Sequence, residues 1–412
     1  MRTKKFTDFA ILIFLFTYIL QPILAWGNPP FKGSIETQLL QIQQGSNTNP
    51  DLLETLLMVS KHWQPSLDLT PLKEKVEKLT RSARQNLKEQ DKPEDIIQIL
   101  RTLIHDAGRY DYTDQVDAKG VPINPEELFL HGLLDTHKGY CMNLSLLYLI
   151  LGQKLGLPLH GVALPNHFFV RYEQEGVHIN IETTERGASY PDSFYQQRFG
   201  ALADKQNSYF MKNLSGRKTL GAYFSNVGMV YYQNQKPERA VFYLGLSTTI
   251  NPQSIDAQNN LANIYSELKK PDQAIKHYNL ALKADPNNSS TLFNLGLVFM
   301  ESGDSSKAIN AFLQVVQIEP GFSPAHKMLA NLYLQNKKLT SSLLHLKLLA
   351  RIQPENLQNH LNIASAYGRM GQHALALETL IKVQRQFPNS PEIHEGLAEA
   401  YYRMEEFQRA IE

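Results

Sequence analysis

Cysteine is almost missing from this chain: 412 residues contain one, Cys141, so no intramolecular disulfide can form. Net charge is nearly absent too. Forty-one basic side chains against forty acidic ones leave a formal charge of +1. No block of like charge follows the first residues, which removes the electrostatic ground for nucleic-acid binding. Long apolar runs are confined to the N-terminus, and no other stretch could cross a bilayer. The one run, Ala10 to Leu20, follows Arg2, Lys4 and Lys5 and precedes Ala25-Trp26-Gly27, the small-residue spacing that a signal peptidase needs. It reads as an export signal over residues 1–27, with the mature protein periplasmic or secreted. The competing reading is an uncleaved anchor, and only then is a membrane a partner. No motif calls for a metal or an organic cofactor.

What remains is ordinary globular composition, 42% hydrophobic and 20% charged, with length for two or three domains. Residues 34 to about 107 read as helices: Asp51-Leu-Leu-Glu-Thr-Leu-Leu repeats apolar residues at helical spacing, and Thr70 as N-cap before Pro71 marks a helix start. Tyr110 to Asn124 reads as a loop, after which Pro125 opens another helix. Cys141 to Leu155 carries Leu144, Leu147, Tyr148, Leu151 and Leu155, a helix buried nearly all round with the cysteine in its first turn. Leu159 to Leu164, His167 to Tyr172 and Val177 to Ile181 are strand-like. With Glu173-Gln174-Glu175-Gly176 as the loop of a hairpin, His167 stands directly opposite Glu182 on one face. Residues 183–220 show no clear period and read as closing loops and a connecting helix.

A thiol attacks as thiolate, and the free N–H groups and dipole of a helix N-terminus favour that form. A histidine can take the thiol proton, and a carboxylate on its other ring nitrogen fixes the tautomer. Cys141, His167 and Glu182 fit these roles. His131, His137, His160 and His178 each compete for the second place. His137 and His160, beside turns, read as surface residues, whereas His178 shares the Glu182 face and is the serious rival. The residues alone also leave open a small buried cysteine beside an edge-strand carboxylate.

Lys138-Gly139-Tyr140-Cys141 through Leu155-Gly-Leu-Pro, then Gly161-Val-Ala-Leu-Pro-Asn-His167-Phe-Phe-Val-Arg171 and Asn180-Ile-Glu182, resemble the bacterial branch of the transglutaminase-like superfamily. The resemblance covers about Leu52 to Gly200. It implies a papain-like α+β fold with a helical N-terminal part over residues 34–200, in which Cys141 is the nucleophile, His167 the base and Glu182 the orienting acid. Relatives more often carry Asp at the third place, and some members of this branch lack the cysteine.

From Gly221 the text changes. A small residue recurs at Ala240, Ala274, Ala308, Ser342, Ala376 and Ala410, a proline at Pro252, Pro286, Pro320, Pro354 and Pro388, and an aromatic at Tyr231, Tyr265, Phe299, Tyr333, Tyr367 and Tyr401, all 34 residues apart. This pattern is similar to the tetratricopeptide repeat, with copies over 221–254, 255–288, 289–322, 323–356 and 357–390 and a partial sixth over 391–412. The resemblance implies an all-α solenoid over 221–412, joined through a connecting segment at 201–220. Its concave groove is expected to take a protein or peptide partner, with Met229, Tyr232, Asn259, Asn263, Phe293, Leu297, Met300, Lys327 and Asn331 as candidate groove residues.

The sequence thus points to an exported thiol-dependent acyltransferase or amidohydrolase acting on a protein or peptide, with repeats that recruit a partner. A catalytically silent scaffold built from the same two units is the other reading.

Overall fold

The structure, a computed structural model, describes residues 34–45, 49–115, 122–199 and 210–411. The signal expected over 1–27 lies outside them. Four helices come first: α1 (Ile35–Gln44), α2 (Leu52–Trp63), α3 (Thr70–Asn86) and α4 (Pro93–Arg101). Asp51 caps α2 by accepting from the Glu54 N–H. At α3 the expected N-cap is displaced. Thr70 is already helical, and Asp68 takes the Thr70 N–H at 2.9 Å because its carboxylate reaches two residues forward. A short strand β1 (Asp111–Tyr112) pairs in parallel with β2 (Lys138–Gly139), and between them lie a 3-10 turn at Pro125–Leu128 and helix α5 (Leu130–Thr136). Helix α6 (Cys141–Leu155) is buried at every position from Met142 to Gly152, and Gly156 ends it in the left-handed conformation that only glycine adopts freely.

Strands β3 (Leu159–Leu164), β4 (His167–Gln174) and β5 (Val177–Ile181), with β6 (Asn213–Leu214), form an antiparallel sheet in the order β5-β4-β3-β6. Phe168, Val170, Tyr172 and Ile181 point to the α6 side and join the main core. Val162, Leu164 and Phe169 point the other way, against Tyr195 of α7 (Asp192–Phe199). The hairpin differs from the expected one. Strand pairing continues through Glu173↔His178 to Gln174↔Val177, so the turn is Glu175-Gly176 alone, with φ of 52° and 83°. Two residues at positive φ match the twist of the flanking strands, and the shorter loop keeps ladder hydrogen bonds that a four-residue loop would forfeit. His167 is consequently not opposite Glu182, whose place in the register is level with Phe169.

Six helical pairs follow: α8 (Gly216–Gln233) with α9 (Pro237–Ile250), α10 (Ile255–Glu267) with α11 (Pro271–Ala284), α12 (Ser289–Glu301) with α13 (Ser305–Ile318), α14 (Ser323–Gln335) with α15 (Leu339–Ile352), α16 (Leu357–Arg369) with α17 (His373–Gln384), and α18 (Pro391–Arg403) with α19 (Phe407–Ile411). Small residues let the two helices of a pair approach closely. A Cβ on Gly228 would lie 2.7 Å from Leu244, and one on Gly296 2.6 Å from Phe312. Ala240, Ala274, Ala308, Ser342 and Ala376 are all buried.

Of the segment expected to connect the two units, residues 210–220 are described. Asn213 and Leu214 close the sheet edge on β3, and Ser215 caps α8, which starts at Gly216. One core runs from Leu39 and Leu56 through α6 to Tyr223, Tyr243 and Leu261. Trp63 stacks on Phe129 at 4.8 Å and leans on Tyr231 at 5.1 Å. The His62 imidazole bonds the Tyr243 hydroxyl at 2.7 Å, and Arg239 donates to the His62 carbonyl at 2.7 Å. No helix among the described residues is long and apolar enough to cross a membrane.

Candidate active site

Cys141 is half-buried and unpaired at the first position of α6. The preceding N-cap, Tyr140, makes no side-chain bond to the first turn, so the N–H groups beside the thiol receive no side-chain acceptor from it. The approach to the helix is tight. A Cβ on Gly139 would stand 2.7 Å from Asn143 Oδ1 and 2.8 Å from Leu133, so the residue two before the cysteine has no room for a side chain. Asn143 Nδ2 in turn donates to the Glu127 carbonyl and ties the Cys turn to the 3-10 segment. Tyr140 Oη donates to the Gln115 carbonyl at 2.9 Å, and burial, with the charges of Glu127, Tyr112 and Asp114, pushes its phenol up to about 12.

His167 opens β4 and brings its ring to the thiol. Its Nε2 meets Glu182 Oε2 at 2.8 Å, with the two side chains 12% and 3% exposed. Cys141 acts on the same imidazole, and with Nε2 occupied by the carboxylate, Nδ1 is the nitrogen that remains for the thiol. Burial works against a charged ring here. The bonds to Cys141 and Glu182, and their charges, outweigh it and push the imidazole up to about 9. Burial likewise opposes the Glu182 carboxylate, yet His167 and Thr184 together hold it below the usual range. The carboxylate is fixed from both ends. Oε1 accepts the Thr184 N–H at 3.1 Å and the Thr184 hydroxyl at 2.6 Å, which leaves Oε2 for the imidazole. The Phe199 ring stacks on His167 at 4.8 Å and 10°.

The structure therefore brings Cys141, His167 and Glu182 together, by a route that the expected cross-strand pairing does not describe. Glu182 leaves the ladder and bridges to Ala188, and its side chain reaches back to His167 as it caps the turn Thr183–Glu185. The rival histidines lie elsewhere. His178 is exposed and contacts Asp192 at 3.1 Å. His131 is buried in α5 beside Phe129. His137 stacks on Tyr110 at 4.7 Å and so is held rather than free at the surface, and His160 is half-buried. Thr183, Thr184, Ser145 and Phe199 escaped the sequence reading. The signal for Ser145 was a hydroxyl one turn after Cys141 in a leucine-rich helix, and for Thr184 the turn-forming Thr-Thr after a carboxylate.

The groove candidates fare differently. Phe293 is wedged against Phe312 at 5.4 Å and Phe322 at 5.3 Å, and Leu297 and Met300 are half-buried against the same cluster. Met229 packs on the main core. Asn259 bonds Thr291 at 2.8 Å, Asn263 accepts from Tyr278, and Tyr232 bonds Glu267, so these three serve contacts within the array. Lys327 and Asn331 are exposed. The wall is more open further along, where Leu361, Ser365, Gly368, Glu395 and Glu399 border a cavity of about 760 Å³.

Residues 70–219 match the family model of the transglutaminase-like superfamily, and 255–288, 289–322 and 361–412 match models of the tetratricopeptide repeat. F-box only protein 21 of Mus musculus and that of Homo sapiens are each 36% identical over 87 residues, which is 20% of this chain and 14% of theirs. The chain thus spans a small part of the curated relatives it matches. Among solved structures, the repeat protein YrrB, described as having an unusual peptide-binding site, is 17% identical over 42% of this chain and 89% of its own, with a TM-score of 0.36. PilF of Pseudomonas aeruginosa is 21% identical over 48% and 90%, also at 0.36.

Proposed function

We propose, from a chain that carries a transglutaminase-like domain followed by tetratricopeptide repeats, that Cys141 is the nucleophile of an acyl transfer or amide hydrolysis on a protein or peptide. The observation that carries this is the imidazole of His167, bonded through Nε2 to a fixed carboxylate and raised in basicity by that carboxylate and by the only cysteine of the chain. The thiolate attacks the acyl carbon, and the N–H groups at the uncapped start of α6 receive the developing oxyanion. As the C–N bond breaks, the imidazolium gives its Nδ1 proton to the departing amine and a thioester remains on Cys141. Water or a second amine then attacks the thioester carbon. His167 takes its proton and the thiolate leaves. Glu182 keeps Nε2–H directed away from the reaction throughout.

The repeats supply a scaffold for protein interaction, and export would put the lone thiol in an oxidising compartment. Both extend the same proposal. The test is to incubate the full chain with a peptide panel and hydroxylamine: a Cys141 thioester, absent from Cys141→Ser, should be trapped as a hydroxamate. If no thioester forms and iodoacetamide labels the folded thiol no faster than it labels Cys141 in the His167→Ala variant, the chain is a scaffold.

A further inference from the structure

Three contacts, two of them buried and one partly so, join α6 to β4 and to the turn that follows β5. Ser145 and Thr183 are both 0% exposed, and their hydroxyl oxygens are 2.9 Å apart. Thr183 Oγ1 also lies 3.4 Å from the Cys141 carbonyl, and Ser145 Oγ 3.4 Å from that of Phe168. Phe168 follows His167 in the chain and Thr183 follows Glu182, so this one pair touches Cys141 itself and the immediate neighbours of both its partners. We infer that Ser145 and Thr183 are positioning residues that set Cys141, His167 and Glu182 in register with one another, a role that rests on the catalytic reading of that site.

Chemistry makes the pair more than a filler. Two hydroxyls carry two protons, whereas the geometry holds three contacts, so only two can be hydrogen bonds at once. When Thr183 donates to Ser145, Ser145 donates to Phe168 and the His167 strand is held. When Ser145 donates to Thr183, Thr183 donates to Cys141 and the nucleophile's turn is held. An apolar pair of similar volume would fill the space as well and hold neither, since dispersion has no direction. Because replacing both partners of a buried bond costs far less than orphaning one, stability and positioning can be separated by experiment.

The test uses the full chain, whose single cysteine makes thiol alkylation unambiguous. Ser145→Ala with Thr183→Val, Thr183→Val alone and Thr183→Ser are compared by iodoacetamide rate at pH 7 and by nitrogen-15 NMR titration of His167. The double variant should melt near the parent yet label roughly ten-fold more slowly, with the His167 midpoint shifted down from about 9. Thr183→Ser should restore both. If the parent's labelling does not respond to His167→Ala, the catalytic reading and this inference fall together. If it does respond while the double variant labels and titrates like the parent, the inference alone is wrong and the pair merely fills the core.

Discussion

Glu182 shows how a single buried carboxylate can fix a neighbouring imidazole. Both its oxygens are committed, one to Thr184 and one to His167, so Glu182→Gln keeps the shape but removes the charge that opposes the burial of the imidazolium. The His167 midpoint should then fall from about 9 towards or below 6.5, and turnover should drop by about ten-fold or more. His178→Ala, exposed beside Asp192, should change neither. Because the folded value of His167 lies above the ordinary 6.5, its contribution to stability is whole below about 6.5 and is lost as pH rises through about 9. Thermal melts across that range, with and without the Gln variant, check the sign. At this scale the sequence was legible wherever chemistry is carried by rare residues. A lone cysteine at a helix start, a His opening one alternating run and a Glu just past the next are visible as text, whereas Ser145 and Thr183 carry no period.

Elements tell the same story with a different failure. The hairpin is legible in its alternation, but its register depends on whether the turn takes two residues or four, and Glu175 at positive φ is not a signal that composition provides. In the array, one position of the first helix recurs with one task. Gln258, His326, His360 and His394 each bond the carbonyl of the proline six residues earlier, at 3.1, 3.0, 2.9 and 3.2 Å. Two of them also meet a second-helix histidine, Gln258 with His277 at 2.7 Å and His326 with His345 at 3.0 Å. With Nε2 of His326 donating to Pro320, its Nδ1 must accept, so His345 donates. Burial depresses His277 and His345 to about 4. Both therefore contribute stability above 6.5 that is lost as pH falls towards 4, because the unfolded chain takes up the protons first. The third repeat has Leu292 and Ala311 at the paired positions. His326→Leu with His345→Ala should accordingly fold and show a shallower loss of melting temperature between pH 7 and 4.5. An undiminished loss would falsify the assignment to this pair.

For the whole molecule, the division into two units was legible because the repeat period starts abruptly, and their union was not. A repeat period relates neighbours along the chain and carries no trace of Trp63 and His62 packing on Tyr231 and Tyr243. Tyr243→Phe removes the buried partner of His62 and should cost about 1–2 kcal/mol. Urea unfolding followed by far-UV CD should resolve this loss in the step shared by α2, α6 and α8, and not in the distal pairs, whose cores around Phe312 and Leu380 are their own. A shift in the distal step instead would show that the first pair is not the anchor. The continuity of that core also bears on kinetics. A binding module on a slack tether searches a volume, and its effective concentration at a reactive centre falls as the tether lengthens. Here Asn213 and Leu214 are already in the sheet and α8 begins two residues later. If the array holds the substrate as proposed, its local concentration at Cys141 is fixed by the repeat it occupies, and sliding it by one repeat would change its reactivity stepwise.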